Sequence, residues 1–126
     1  MGATLSIRNQ FGEVLYTCEA ATVMEALQRA AADRVDLIGA DLVGLDAPGA
    51  KLDGALLKAA DLRGANLRRA SLVGADLFGA NFTNADLTEA NLTQAQIQFG
   101  SFVGAKLANA KLDDAETSNA VWSEAD

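Results

Sequence analysis

The sequence predicts an all-β solenoid, a stack of short extended segments and corners, capped at its N-terminal end by a β-hairpin and one short α-helix. Three features lead there. From Val35 onward a five-residue phase recurs without a slip: Ala, a small polar residue, Leu, then two freer positions, as in Ala60-Asp61-Leu62-Arg63-Gly64. The third positions run from Leu37 through Leu57, Leu77, Ile97 and Thr117 to Trp122, eighteen consecutive units in one phase. Gly fills the fifth position at 39, 44, 49, 54, 64, 74, 79 and 104.

The elements follow in chain order. Leu5-Ser6-Ile7-Arg8 and the stretch from Val14 to Cys18 alternate apolar and polar residues, and Asn9-Gln10-Phe11-Gly12 between them carries turn chemistry, so a hairpin is expected over residues 4–19. Its facing stays open, because Val14, Leu15 and Tyr16 are all at least partly apolar. Thr22-Val23-Met24-Glu25 reads as a capping box, with Glu25 reaching back to Thr22. Val23, Leu27, Ala30 and Ala31 then form one apolar stripe, which predicts a helix over residues 22–33. A stacked repeat exposes its first hydrophobic layer, so this segment is expected to act as the cap. The expected division is residues 1–34 as hairpin and capping helix and 35–126 as repeat, within one structural domain.

The period decides the architecture of the rest. Five residues rotate an α-helix by about 500°, so successive Leu residues would form no apolar face. A straight strand fails as well, because an odd period sends alternate Leu side chains to opposite faces. A short extended segment followed by a corner works. Ala and Leu, two apart, point inward; the polar residue between them points out; the last two residues turn the chain. Gly in the fifth position suits the left-handed residue of a type II turn. Asn84, Asn109 and Asn119 tolerate that conformation, whereas Arg69, Glu89, Gln94, Phe99 and Asp114 tolerate it poorly, so a mixed set of corner types is expected.

The run Ala-(Asp/Asn)-Leu-x-(Gly/x) over residues 35–124 resembles the pentapeptide-repeat family. The resemblance implies a right-handed quadrilateral β-helix of about 18 pentapeptide units, four per coil, and the N-terminal segment resembles the cap of some bacterial members. With four units per coil, residues twenty apart stack, which puts Phe82, Phe102 and Trp122 in one column. At Leu45-Asp46-Ala47 the large and small inward residues trade places, a swap that conserves volume.

Composition narrows the function. The chain has 126 residues, half of them apolar but only 6% aromatic, so its core is built from Ala and Leu. No apolar run approaches the ~18 residues of a membrane span, and no basic-then-apolar leader opens the chain, so a cytoplasmic location is expected, with no membrane partner. Cys18 is the single cysteine, in keeping with a reducing compartment. Met1-Gly2-Ala3-Thr4-Leu5-Ser6 matches the loose myristoylation pattern but reads better as the start of a strand. The net charge of −7 argues against direct nucleic-acid binding.

No catalytic, cofactor-binding or metal site is expected. The chain has no His, so imidazole chemistry is excluded and Cys18 lacks an activating base. Ser71 and Ser101 sit in the small-polar slot without an evident partner. Asp36, Asp41, Asp46, Asp61, Asp76 and Asp86 occupy the outward second position, where they bond local amides and solvate the wall. Asp113, Asp114 and Glu116 form an acidic stretch too short to argue for a cation.

Surface departures from the repeat carry the remaining information. Leu56 and Phe78 point outward on one face, with Ile38 and Phe99 at its corners. This face is expected either to meet a protein partner or a second copy, or to be covered by the hairpin. Lys58, Arg63, Arg68 and Arg69 girdle the second coil, which reads as a solvated band. Trp122 either plugs the last layer or lets the C-terminal end stack on a second chain, giving a homodimer. The expected function is a non-catalytic scaffold or protein-protein interaction module with an unknown partner. The alternative comes from the resemblance: some family members mimic duplex DNA and bind DNA gyrase, conferring quinolone resistance. The basic girdle, the strict phase without loops and the missing C-terminal dimerisation helix weaken it.

Overall fold

A computed structural model describes residues 3–126. Gly2, on which the myristoylation pattern turns, lies outside the described residues. Strand β1 (Thr4–Arg8) pairs antiparallel with β2 (Val14–Glu19), and helix α1 spans Val23–Ala32. The hairpin's facing is now settled: Leu5 and Ile7 pair with Cys18 and Tyr16 and pack toward the core, while Val14 is exposed. Asn9 closes the turn by accepting from the Phe11 and Glu13 amides through its side-chain oxygen.

Helix α1 starts as expected at its cap, where the Thr22 hydroxyl accepts from the Glu25 amide at 3.1 Å. The reciprocal half differs from the expected box. The Glu25 carboxylate reaches one residue further, to the Ala21 amide at 3.0 Å, and its other oxygen pairs with Arg29 at 2.8 Å. An i,i+4 cation one turn along orients the carboxylate away from Thr22. The helix ends in a Schellman motif: Arg34 takes φ 56° and donates to the Ala31 carbonyl, and Val35 donates to that of Ala30. Val35 is also the first residue of the repeat, so the motif that stops the helix sets the phase of everything after it.

From there the chain coils. Parallel bridges join residues twenty apart, beginning with Asp36 to Leu56 and continuing to Ser101 with Val121, so four five-residue units make one turn. The unit Ala75–Gly79 shows how its amides are satisfied. Ala75 donates to Leu72 within the corner (3.1 Å), Asp76 to Ala55 in the preceding coil (2.9 Å), and Leu77 and Gly79 to Gln96 and Gln98 in the following coil (2.8 Å each). The Phe78 amide has no backbone acceptor within reach and donates to Asp76 Oδ1 at 3.2 Å. Asp41, Asp61, Asn66, Asn81, Asp86 and Asn91 do the same for the residue two further on. These outward Asp and Asn are therefore parts of the backbone scheme, each closing an Asx turn; Asp46, two residues before Pro48, accepts instead from the Asn66 side chain at 3.3 Å.

Two expectations need correction. The corners are uniform: every fifth position from Gly39 to Glu124 has positive φ, including Ala59, Arg69, Glu89, Gln94, Phe99 and Asp114 at 57–60°. The preceding fourth positions do not share it, as a type II turn requires. A left-handed L-residue costs about 1–2 kcal/mol. The amide of that same residue gains a ladder bond, as Glu89 does to Ala108 at 2.8 Å, which offsets about 1 kcal/mol. The neighbouring coils hold the corner in place, so side-chain preference loses. Ser71 and Ser101 also have partners, in the preceding coil: Ser71 Oγ donates to Asp53 Oδ1, and Ser101 Oγ lies 3.1 Å from Thr83 Oγ1.

The core is the column of inward residues, with Leu37, Ala47, Leu57, Leu77 and Ile97 fully buried and the exchanged pair Leu45 and Ala47 both inside. The aromatic column forms as the twenty-residue step requires. The Phe82 and Phe102 rings stack at 5.0 Å and 9°, and Phe102 stacks on Trp122 at 4.5 Å and 12°. Gly100 stands where most units have Ala; a Cβ there would come within 3.0 Å of the Ile97 carbonyl oxygen and 3.1 Å of the Phe102 ring. At the N-terminal end, the Asp41 amide donates to the Arg8 carbonyl and the Lys51 amide to Gln28 Oε1, both at 2.8 Å, so the cap supplies acceptors that a preceding coil would otherwise provide.

Two stability measurements follow. Gly74 takes φ 66° and a Cβ there would meet nothing within 4 Å, so Gly74→Ala isolates the backbone cost; urea unfolding is expected to show a loss of about 1 kcal/mol. Phe102→Ala empties the middle of the aromatic column and is expected to cost about 3–5 kcal/mol, against less than about 1.5 kcal/mol for Phe102→Leu.

Candidate interaction face

With most of the wall's Asp and Asn accounted for by the Asx turns, the residues that stand out are those that break the pattern. Along one side, second positions run Asp36, Leu56, Asp76 and Gln96, and fourth positions run Ile38, Lys58, Phe78 and Gln98. Leu56 thus replaces an Asx residue, and Ile38 and Phe78 put larger apolar groups on corners that elsewhere carry Thr83, Thr88 and Thr93 or the smaller Val43, Val73 and Val103. Ile38 is 49% exposed, Phe78 40% and Phe99 58%.

The structure brings four of the five residues singled out from sequence onto this side. Ile38 and Leu56 line a depression of about 200 Å³ together with Asp36, Lys58 and Asp76. Directly beside it, the Phe78 and Phe99 rings lie 5.4 Å apart at 54°, a tilted arrangement, and Lys58 Nζ sits 5.8 Å from the Phe78 centroid. Trp122 is elsewhere, stacked on Phe102 in the core column and half-buried at the end of the coil.

One residue of this surface was missed from sequence. Phe11, at the apex of the hairpin turn, is 89% exposed and lines a second depression of about 380 Å³ with Asn9, Gln10, Glu13, Ile38 and Ala59. The available signal was an aromatic residue in a turn otherwise built of polar residues and Gly. The hairpin touches the first coils at its edge, through an Asn9–Ala40 bridge and a bond from Gln10 Nε2 to the Ala59 carbonyl. It flanks the upper end of the face and leaves Ile38 and Phe78 open.

Two ion pairs form on the other sides of the wall. Arg63 holds Asp61 through Nε and Nη2, at 2.8 and 2.7 Å, and Arg68 reaches Asp86 in the following coil at 3.1 Å. The Arg63 hydrogen bonds hold the carboxyl of Asp61, itself buried, below the usual carboxylate range. For Asp86, burial pushes the carboxyl up, but Thr88 and Arg68 together pull it lower. Among the described residues, no three acidic or sulfur side chains converge to hold a metal ion, and no helix is long and apolar enough to cross a membrane.

Comparison with known proteins agrees with this geometry. The family model described as Pentapeptide repeats (8 copies) matches residues 26–58 and 55–94. Rfr23, a pentapeptide repeat protein of the cyanobacterium Cyanothece 51142, is 32% identical over 73% of this chain and 60% of its own, with a TM-score of 0.68. HetL, a pentapeptide repeat protein of Nostoc involved in heterocyst differentiation regulation, is 33% identical over 73% of this chain and 46% of its own, with a TM-score of 0.41. A pentapeptide repeat protein from the Arabidopsis thaliana thylakoid lumen is 30% identical over 68% of this chain and 59% of its own, with a TM-score of 0.34. The chain thus spans about half to 60% of the length of these solved relatives. No curated protein matches it.

The Asp61 carboxyl titrates lower in the folded chain than in the unfolded one, so its ion pair stabilises fully above the unfolded value of about 3.9 and is lost as pH falls through the folded value. Asp61→Asn keeps an acceptor for the Arg63 amide and removes the charge. The stability difference between wild type and Asp61→Asn is expected to be constant from pH 8 to pH 5 and to shrink in acid, read by thermal melts at each pH.

Proposed function

The chain belongs to the pentapeptide-repeat family, and from that premise we propose that it is a non-catalytic scaffold that holds a protein partner on the face carrying Ile38, Leu56, Phe78 and Phe99. The observation that supports this most is the grouping of Ile38, Leu56, Phe78 and Phe99 on one side across successive coils, where the other sides carry single exposed valines such as Val43 and Val121. Isolated apolar side chains on a surface are ordinary, whereas a contiguous patch marks a contact.

The family implies a right-handed quadrilateral β-helix, and in this reading all eighteen units counted along the sequence continue it without interruption. Such a prism offers flat sides and shallow corners, a poor setting for the enclosed site that catalysis needs. Many of its outward Asp and Asn side chains each give one oxygen to an Asx turn, and the chain contains no His. We place the protein in the cytoplasm, where the single Cys18 stays reduced. The gyrase-directed alternative draws less support, because Arg63 and Arg68 neutralise Asp61 and Asp86 on adjoining sides and break up the negative surface that mimicry of DNA requires.

The test replaces the two aromatics with residues the same slots already accept. Phe78→Thr copies the corners at Thr83, Thr88 and Thr93, and Phe99→Asn copies the left-handed Asn84, Asn109 and Asn119. The double variant is expected to keep its melting temperature within a few degrees and to lose the protein that the wild type captures from its host's extract. Equal capture by both would overturn the proposal.

A further inference from the structure

The same face also carries charge, and the charge points to the chemistry of its occupant. Asp36 and Asp76 stand in one column on either side of Leu56, bridged through it, and so lie two coil steps apart, about 9–10 Å. Each uses Oδ1 for a local amide, that of Ile38 at 3.1 Å and that of Phe78 at 3.2 Å, which leaves Oδ2 for another donor. Asp61 and Asp86, on the next two sides, are paired with arginines. Among the described residues Asp36 and Asp76 are not, and neither are Asp41 and Asp46, but only Asp36 and Asp76 flank an apolar second-position residue, Leu56. Lys58 lies in the same depression, yet its ammonium is directed over the Phe78 ring and pairs with neither carboxylate. Glu13 adds a third carboxylate at the edge of the adjoining depression.

From this arrangement, and resting on the reading of the face as a protein-binding surface, we infer that the occupant is a short polypeptide segment with a Lys or Arg between apolar anchors. Its cation sits over Leu56 between Asp36 and Asp76. One apolar anchor packs on the Phe78–Phe99 pair and the other in the depression between Ile38 and Phe11. From Ile38 to Phe99 the face crosses three coil steps, about 14–15 Å, which an extended segment of four or five residues covers. Charge complementarity selects this occupant over the others. A second copy, with a net charge of −7, and a phosphate backbone would both on balance be repelled by Asp36 and Asp76.

The chain itself supplies conservative variants for the test. Asp36→Asn and Asp76→Asn keep the oxygen that caps the amide, as Asn81 and Asn91 do for Thr83 and Thr93, and remove only the charge. Random twelve-residue peptides displayed on phage are selected against the full chain, and the strongest binder is synthesised with a fluorophore for titration. Enrichment of a basic residue flanked by apolar ones is expected. Binding should weaken about tenfold with Asp36→Asn/Asp76→Asn, with the salt dependence reduced, and be lost with Phe78→Thr/Phe99→Asn. If the aromatic pair matters and the aspartates do not, or if the selected peptides lack basic residues, the cation assignment fails while the binding face stands. If neither double variant changes binding, or no peptide is recovered, the face itself is excluded as a peptide-docking surface.

Discussion

Every other feature of this structure depends on where the backbone amides of a five-residue unit find acceptors. A buried amide without a partner costs about 1–3 kcal/mol, and eighteen repeats of one such deficit would unfold the chain. The coil answers with two bonds to the following turn, one to the preceding turn and one inside the corner, and in units such as Ala75–Gly79 an outward Asp or Asn takes the remaining amide. That single scheme explains the inward Ala and Leu, the polar second position and the left-handed fifth position together. It also explains why arginine, glutamate and even phenylalanine accept φ near +60°: the neighbouring coils leave the corner no alternative.

The fold was legible because its signal is periodic. An odd period of five excluded helix and straight strand on elementary geometry, and the aromatic column followed once four units closed a turn. Local propensity misled where it competed with the ladder. Glu89 and Gln94 are poor left-handed residues taken singly, yet the bonds to Ala108 and Asp113 decide their conformation. Glu25 was misplaced by one residue because Arg29, a turn away, also claims its carboxylate.

The face was only partly legible. Leu56, Phe78 and Phe99 stand out against the repeat because the repeat says what belongs in their slots. Phe11 lies outside the repeat, where no template marks it as a departure, and its place beside Ile38 depends on how the hairpin docks. The pairing of Asp61 with Arg63 in its own unit, and of Asp86 with Arg68 one coil step away, depends on the arginine rotamers. Sequence gives the columns; it does not give the side-chain torsions.

The twenty-residue ladder also governs how a protein of this kind can change length. Insertion of a single residue would put the following Ala and Leu out of phase with the core and cut the ladder at that point. An insertion of five preserves inward and outward positions but turns everything after it by one side, so Phe82 would no longer lie over Phe102 and Phe78 would leave Phe99. Only a whole coil of twenty leaves both the interior stack and the surface columns in register. Growth and loss in such a chain therefore come in quanta, and a binding surface that spans several coils tolerates only the largest of them.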